Sequence, residues 1–169
     1  MRIRQATIIS MFVMFCAFTG ADAAKTKTKP KWKPLSTVPL VMPRKPDGDG
    51  AVTVGGELKQ WHKITLTQNG PFAHELDNAP NPFTDYRMTV TFKHESGSPK
   101  YTVPGYFAAD GAAADTSADA GVKWRAHLSP DKTGKWSYSV SFVKGEQVAV
   151  SDAAGAAVSG CDGKSGTFV

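Results

Sequence analysis

Cysteine is scarce in this chain of 169 residues, which contains only two, Cys16 and Cys161. Cys16 lies in an apolar run near the N-terminus, so a protein that loses this run keeps Cys161 alone. A single thiol cannot form an internal disulfide, even in an oxidising compartment. Cys161 lies in the polar, glycine-rich stretch VSGCDGKSG with no histidine beside it, so we interpret it as an unreactive loop thiol. A hydrophobic core must therefore hold the fold together.

Helical periodicity, metal-ligand spacing and phosphate-binding loops are also missing. No window repeats apolar residues at the period of an amphipathic helix. The four histidines, His62, His74, His94 and His127, lack the spacing of a zinc site. VGGE (54–57) lacks the length, the lysine and the following helix of a phosphate loop, so it predicts a turn. We expect no metal and no cofactor.

Most of the chain has no excess of either charge. The formal net charge is +5, but residues 24–50 contain seven Lys or Arg and two Asp, whereas residues 51–169 contain eleven basic and twelve acidic side chains. A nucleic-acid interface would place basic charge on a folded face beside aromatic platforms, so no nucleic-acid partner is expected. We interpret the basic tail as a solubilising linker; contact with anionic polymers is the alternative.

The N-terminus has the three parts of a secretory signal peptide. Arg2 and Arg4 precede an apolar run at 6–19, and Ala21-Asp22-Ala23 follows as an A-x-A cleavage site. The run is shorter than the roughly 20 residues that span a bilayer. The sequence predicts a cleavable signal at 1–23, a secreted or periplasmic protein, and no membrane span after cleavage.

A Lys/Pro-rich linker and a β-rich region follow the signal. Residues 24–55 hold five prolines between Pro30 and Pro46, which indicates an extended, semi-rigid segment. From residue 56 to 169 apolar and polar residues alternate, as in half-buried antiparallel strands. Strands are predicted around 64–67, 86–93, 100–103, 122–128, 136–142, 146–150 and 166–169.

About seven strands separated by turn signals predict an all-β, immunoglobulin-like antiparallel sandwich, with an open barrel as the alternative. The stretch from Pro130 to Tyr138 supports this prediction. Pro130 ends a strand, Asp131 bonds the turn backbone, and Gly134 takes a φ that a Cβ resists. Trp136 and Tyr138 then point inward, in the pattern of a tyrosine corner, where a ring ties the loop to the sandwich.

Four stretches resemble a known family. They are NPFTDYRMTVTFKHESG (81–97), YTVPGYFAADG (101–111), VKWRAHLSPDKTGKWSYSV (122–140) and GKSGTFV (163–169). Their order is similar to that of the Ig-like domain of unknown function 5060, over about residues 57–169. The resemblance implies a domain that precedes an apiosidase-like TIM-barrel glycoside hydrolase in secreted bacterial proteins.

This chain departs from the family pattern in two ways. Its loop 108–121 is long and alanine-rich, and we expect it to be flexible because little in it can be buried. The catalytic barrel, with the paired carboxylates that glycoside hydrolysis needs, is absent from the sequence. We expect this chain to be either a truncated gene product or a fragment of a longer open reading frame.

Four carboxylates are candidate catalytic groups by residue type, and no two of them form a recognisable pair. Asp85 and Asp131 occupy turn positions that a capping role explains, Asp110 lies in the long loop, and Glu146 lies in a hairpin turn. We therefore expect no catalytic residue in this region.

The aromatic residues Trp61, Phe83, Tyr106 and Phe107 are the candidate site residues, either at a domain interface or as platforms for sugar stacking. The resulting expectation is a non-catalytic accessory domain that packs through PGYF (104–107) and Phe83 against a downstream TIM barrel. Two alternatives stay open: a stand-alone carbohydrate-binding module with a polysaccharide partner, and a surface-exposed adhesive protein.

Overall fold

A computed structural model describes residues 39–169. The predicted signal peptide and residues 24–38 of the predicted linker lie outside this range. The described part contains nine strands and one four-residue helix. In chain order they are β1 (Val52–Gly56), β2 (Ile64–His74), β3 (Tyr86–His94), β4 (Lys100–Pro104), β5 (Tyr106–Phe107), α1 (Ala113–Thr116), β6 (Ala120–Leu128), β7 (Trp136–Lys144), β8 (Ala156–Ala157) and β9 (Ser165–Phe168).

The strands form two antiparallel sheets, which confirms the predicted all-β sandwich. One sheet has the order β1-β2-β6-β5, and the other has the order β4-β3-β7-β8 with β9 also paired to β7. The chain passes from the second sheet to the first at Gly105, between β4 and β5. Across residues 39–169 no helix has the length and apolar character needed to cross a membrane.

The alternation in the sequence produces the core directly. On β3, Tyr86, Met88, Val90 and Phe92 are buried, and the residues between them are partly exposed. The inner positions of β2, β6 and β7 follow the same rule, so two inner faces interdigitate as in other sandwiches. The buried members on these three strands include Ile64, Leu66, Trp124, Ala126, Leu128, Trp136, Val140 and Phe142.

Trp124 lies at the centre of an aromatic cluster. Its ring centroid is 5.2 Å from that of Tyr86, 5.2 Å from that of Phe107 and 5.0 Å from that of Phe142. Its indole Nε1 donates to the Pro71 carbonyl at 3.1 Å, which satisfies the only polar atom of the side chain. A Cβ at Gly70 would lie 2.5 Å from Trp124 Cδ1, so a glycine is required beside the ring.

Residues 41–56 pack on the sandwich, which extends the folded part beyond the boundary predicted at residue 56. Arg44 contacts the Asp77 carboxylate at 2.8 Å, and the Val41 N–H donates to the same side chain at 2.8 Å. The N–H of Gly48 donates to the Gly70 carbonyl at 2.8 Å. The prediction of a turn at VGGE is wrong, because Val54 to Gly56 belong to β1 and pair with β2. Gly55 and Gly56 have no side chains, so β1 lacks the alternation of apolar and polar residues that predicts a strand.

The predicted strand at 146–150 is also wrong. These residues form turns after β7, and only Val148 is buried. The Arg87 guanidinium donates to the Val148 carbonyl at 2.9 Å, and the Ala149 N–H donates to the Thr84 carbonyl at 2.9 Å. The segment therefore closes one end of the sandwich and adds no strand to a sheet.

The loop 108–121 buries more than expected. Ala108 and Ala109 are buried, and Ala113 and Ala118 pack against the core. Asp110 holds α1 in place by accepting hydrogen bonds from the Ala112 N–H and the Thr116 hydroxyl, each at 2.7 Å. Alanine is small enough to fit where this loop lies against the sheet, so a composition typical of flexible loops here forms a packed one.

The turn after β6 follows the prediction in part. Gly134 has a φ of +116°, and Trp136 Nε1 donates to the Lys132 carbonyl at 3.1 Å, which ties the turn to the sandwich as predicted. Asp131 differs, because its carboxylate accepts from the Tyr101 hydroxyl at 2.7 Å instead of from the turn backbone.

Cys161 lies in a loop, but its side chain is buried in the core. Burial raises the pKa of this thiol, which disfavours a reactive thiolate.

Candidate functional site

Two loops are bonded to each other at one end of the sandwich. Loop 57–63 connects β1 to β2, and loop 129–135 connects β6 to β7. The Trp61 N–H donates to the Pro130 carbonyl at 2.7 Å, and the Gln60 side-chain amide donates to the Asp131 carbonyl at 2.6 Å. These bonds join two loops that are far apart in the sequence, so the position of each depends on the other.

Trp61 is held in an unusual state by these bonds. Its side chain is 68% exposed, although tryptophan is a residue that folding usually buries. Its φ is +64°, in the left-handed region that bulky residues seldom occupy. Backbone of this kind costs about 1–3 kcal/mol and is concentrated at binding and catalytic sites. Trp61 is therefore the strongest single candidate for a functional residue.

The indole of Trp61 borders a cleft of about 510 Å³, which we name the Trp61 cleft. It lies along the open side of the sandwich, where β4 of one sheet passes β6 of the other. β5 pairs only with Arg125 and Trp124, so the end of β6 has no strand beside it on that side in the described chain. The residues that line the cleft are Trp61, Tyr101, Thr102, Val103, His127, Leu128, Ser129 and Asp131.

The polar side chains of the Trp61 cleft are fixed by hydrogen bonds. The imidazole of His127 contacts the Thr65 hydroxyl at 3.0 Å through Nδ1 and the Tyr106 hydroxyl at 2.9 Å through Nε2. Tyr101 donates to Asp131 Oδ2 at 2.7 Å. The other carboxylate oxygen, Asp131 Oδ1, is shielded from solvent and has no hydrogen-bond partner among residues 39–169. The cleft thus combines exposed aromatic surface with oriented polar groups.

Burial lowers the pKa of His127, and the positive charge of Lys63 lowers it further, so the imidazole is neutral at pH 7. The hydrogen bond to Asp131 raises the pKa of Tyr101, with a smaller contribution from burial, so this hydroxyl keeps its proton. No lysine or arginine is among the lining residues. The positive charges of Lys63 and Arg125, which act on His127, come from outside the lining.

Phe83 and Tyr106 border a second exposed apolar surface with Ala149, which we name the Phe83 patch. Phe83 is 52% exposed and Tyr106 is 45% exposed. A groove of about 280 Å³ runs between them and reaches Ala149. Phe107 is only 6% exposed and packs edge-on against Phe83 at 6.3 Å, so it supports the patch from the core.

The four residues singled out from the sequence thus form two groups, joined by Tyr106. Phe83 contacts Phe107, whereas Tyr106 contacts the histidine that lines the cleft beside Trp61. Sequence reasoning missed Tyr101 and Asp131 as members of the cleft, and noted His127 only as a strand residue facing solvent or a neighbouring domain. The contact between β4 and β6 joins different sheets, and no local pattern indicates it.

Two of the four candidate carboxylates, Asp85 and Asp110, have structural partners. Asp85 accepts from the N–H groups of Asn81 and Gln147, and Asp110 holds α1. Burial raises the pKa of Asp85, but these hydrogen bonds outweigh it and the pKa lies below its ordinary value; hydrogen bonds from Thr116 and Ala112 lower the pKa of Asp110. A general acid needs a raised pKa, so neither side chain suits that role. Between residues 39 and 169, no three His, Cys, Asp or Glu side chains are grouped closely enough to hold a metal ion.

Comparison with known proteins gives one family. The family model described as Domain of unknown function (DUF5060) matches residues 57–143, which make up just over half of the chain. No curated protein and no solved structure matches the chain. The matched range begins at the loop that carries Trp61 and ends near the close of β7, so it contains every residue that lines the Trp61 cleft. The chain belongs to the family of the Domain of unknown function (DUF5060).

Proposed function

We propose that this sandwich is a non-catalytic accessory domain of a secreted bacterial carbohydrate-active enzyme, and that it positions a catalytic TIM barrel. The proposal rests on the resemblance in sequence order and on family membership. The observation that carries it is the contrast between exposed aromatic surfaces and the carboxylates of Asp85 and Asp110, which already have structural roles. Exposed aromatic surfaces of this kind are suited to binding another domain or a ligand, and the proposed role includes no catalysis.

The Val169 end of the sandwich is the surface that fits a following domain. β9 pairs with the start of β7, so Val169 leaves the sheet beside loops 57–63 and 129–135. A groove of about 410 Å³ lies there, lined in part by Leu58, Pro130, Phe168 and Val169. Leu58 is 46% exposed, which leaves an apolar side chain free for an interface.

The Phe83 patch is the rival contact surface. It lies at the opposite end of the sandwich. Phe83 comes just before the start of β3, whereas Phe168 pairs with Trp136 of β7, which in turn pairs with His94 at the end of β3. The nine residues of β3 span about 27 Å. A barrel that reached this patch from Val169 would need a connection of at least about eight extended residues.

Sequencing of the coding region beyond the codon for Val169 and activity assays of its product test the proposal. We expect a reading frame that continues into a catalytic barrel, with glycoside hydrolysis by the whole product. We expect no release of reducing sugar by residues 24–169 alone. Hydrolysis by residues 24–169, with loss of that activity on heat denaturation, would contradict the proposal.

The same product identifies the contact surface through two matched variants. Leu58→Asp and Phe83→Asp each place a charge on an exposed apolar position, at opposite ends of the sandwich. If the Val169 end is the interface, L58D separates the thermal unfolding of the sandwich from that of the barrel, and F83D leaves one shared transition. The reverse result would move the interface to the Phe83 patch.

A further inference from the structure

The strain at Trp61 has no structural benefit that the fold explains. The hydrogen bond from its N–H to Pro130 depends on the backbone alone, and Gln60 supplies the second bond between the loops. The indole itself is 68% exposed. A smaller residue would keep both bonds and avoid exposing a large ring. An exposed indole on a backbone that two loops hold in place is instead suited to stack on a flat apolar surface of a ligand.

The surroundings of Trp61 favour a ligand with many hydroxyl groups. The lining of the Trp61 cleft includes the hydroxyl-bearing residues Tyr101, Thr102 and Ser129. Behind them, both ring nitrogens of His127 are already engaged by Thr65 and Tyr106, and Asp131 Oδ1 is shielded from solvent. Binding sites commonly combine apolar walls with a few oriented polar groups of this kind.

The charge of the cleft lining favours neutral over acidic polysaccharides. An acidic polysaccharide would favour lysine or arginine at the lining, as carboxylate recognition generally does, and the lining has neither. The carboxylate of Asp131 would also repel an anionic sugar. A neutral polysaccharide needs no basic side chain in the lining and is not repelled by Asp131.

The open side of the sandwich suits a long ligand. The cleft follows the passage between β4 and the end of β6, and β6 has no neighbouring strand beyond Arg125 on that side of the described sheet.

From these observations we propose that the Trp61 cleft binds a neutral polysaccharide. The C–H face of one pyranose ring stacks on the indole of Trp61, and sugar hydroxyl groups bond to the hydroxyl-bearing lining residues Tyr101, Thr102 and Ser129. The proposal deepens the accessory function and rests on it for the nature of the ligand. The sandwich would then hold the polymer for the proposed catalytic barrel.

Affinity electrophoresis of the full chain through native gels tests the proposal. The gels contain β-glucan, xylan or galactomannan as neutral polymers, and polygalacturonate as the acidic one. Trp61→Ala and Trp61→Gly remove the platform; the glycine variant also suits the left-handed backbone, so it keeps the fold if alanine does not. Phe83→Ala is the matched control, because it removes an exposed ring outside the cleft.

We expect at least one neutral polymer to retard the wild-type chain and F83A equally. Loss of the indole should weaken binding at least about tenfold in both Trp61 variants, as truncation of a buried anchor at an interface does. Absence of retardation by all three neutral polymers, retardation by polygalacturonate alone, or unchanged retardation of the Trp61 variants would overturn the proposal. None of these results affects the accessory role, because hydrolysis by the whole product decides that role.

Discussion

Asp77 is the buried carboxylate that fastens the N-terminal segment to the sandwich. Its side chain is 1% exposed and accepts from Arg44 and from the N–H groups of Val41 and His74. Burial by itself raises the pKa of Asp77, but the Val41 N–H and then Arg44 outweigh it, so the pKa lies below its ordinary value. The ionised form is therefore the one that stabilises the fold.

Asp77→Asn should lower the free energy of unfolding by about 2 kcal/mol at pH 7, the range for hydrogen bonds to a charged group. The amide keeps the shape of the side chain but loses the charge and one acceptor. Urea unfolding followed by circular dichroism measures the change. An unchanged midpoint would show that Arg44 contributes nothing to stability.

The lowered pKa also predicts the direction of the pH dependence. A carboxylate with a depressed folded pKa contributes its full stability above its unfolded value of about 4, and that contribution is lost as the pH falls through the folded pKa. The wild-type melting temperature should therefore fall more steeply below pH 4 than that of D77N. Asp85 and Asp110, whose pKa values are also lowered, give both proteins a shared part of the slope.

Trp61 allows a test of backbone strain that is independent of binding. Both W61A and W61G lack the indole, so they differ only in how well the residue accepts a φ of +64°. W61G should be more stable than W61A by about 1 kcal/mol, because a Cβ is unfavourable in the left-handed region. Thermal unfolding of the two variants measures this difference in stability. Equal melting temperatures would mean that loop 57–63 relaxes and that residue 61 leaves the left-handed conformation.

At the scale of the elements, the strands with the longest alternation were predictable. On β3 and β7, inward rings such as Phe92 and Trp136 alternate with threonine, serine or lysine, and this period of two is typical of one buried face. β1 lacked the signal because Gly55 and Gly56 occupy nearly half of it. The segment 146–150 has an alternation that wrongly predicted a strand, because its one buried residue, Val148, lies in a turn.

The N-terminal elements lie outside the range matched by the family model, yet they pack on β2. A chain that begins at Glu57 loses β1 and removes Val41 and Arg44 from the carboxylate of Asp77. We expect it to be less stable than a chain that begins at Pro39 by at least about 3 kcal/mol, the lower range for removing one partner of a buried ion pair. Thermal unfolding by circular dichroism compares them; equal stability would show that residues 39–56 are dispensable.

β9 supplies a matched pair of positions at the end of the described chain. Phe168 is 9% exposed and packs on Phe92 with ring centroids 6.2 Å apart, whereas Val169 is 74% exposed. Phe168→Ala should cost about 3 kcal/mol, as for other buried phenylalanines, and Val169→Ala should change stability by less than about 0.5 kcal/mol. Chemical denaturation resolves the two, and a small loss for F168A would mean that β9 contributes little to the core.

For the whole molecule, composition and alternation predicted the class of fold, and exposed aromatics indicated where contacts could form. The Trp61 cleft could be predicted only in part. Trp61 was a candidate from its place near a strand end, but its strain and its position near Asp131 arise from a bond between two loops about 70 residues apart. Such long-range contacts depend on how the sheets pack, which local sequence patterns do not specify.

The central claim is that the sandwich positions a catalytic partner and performs no reaction itself. Reducing-sugar release, measured side by side for residues 24–169 and for the full product of the natural reading frame, tests it most directly. We expect hydrolysis by the full product and none by residues 24–169. Turnover by residues 24–169 that persists through purification and disappears on heating would contradict it.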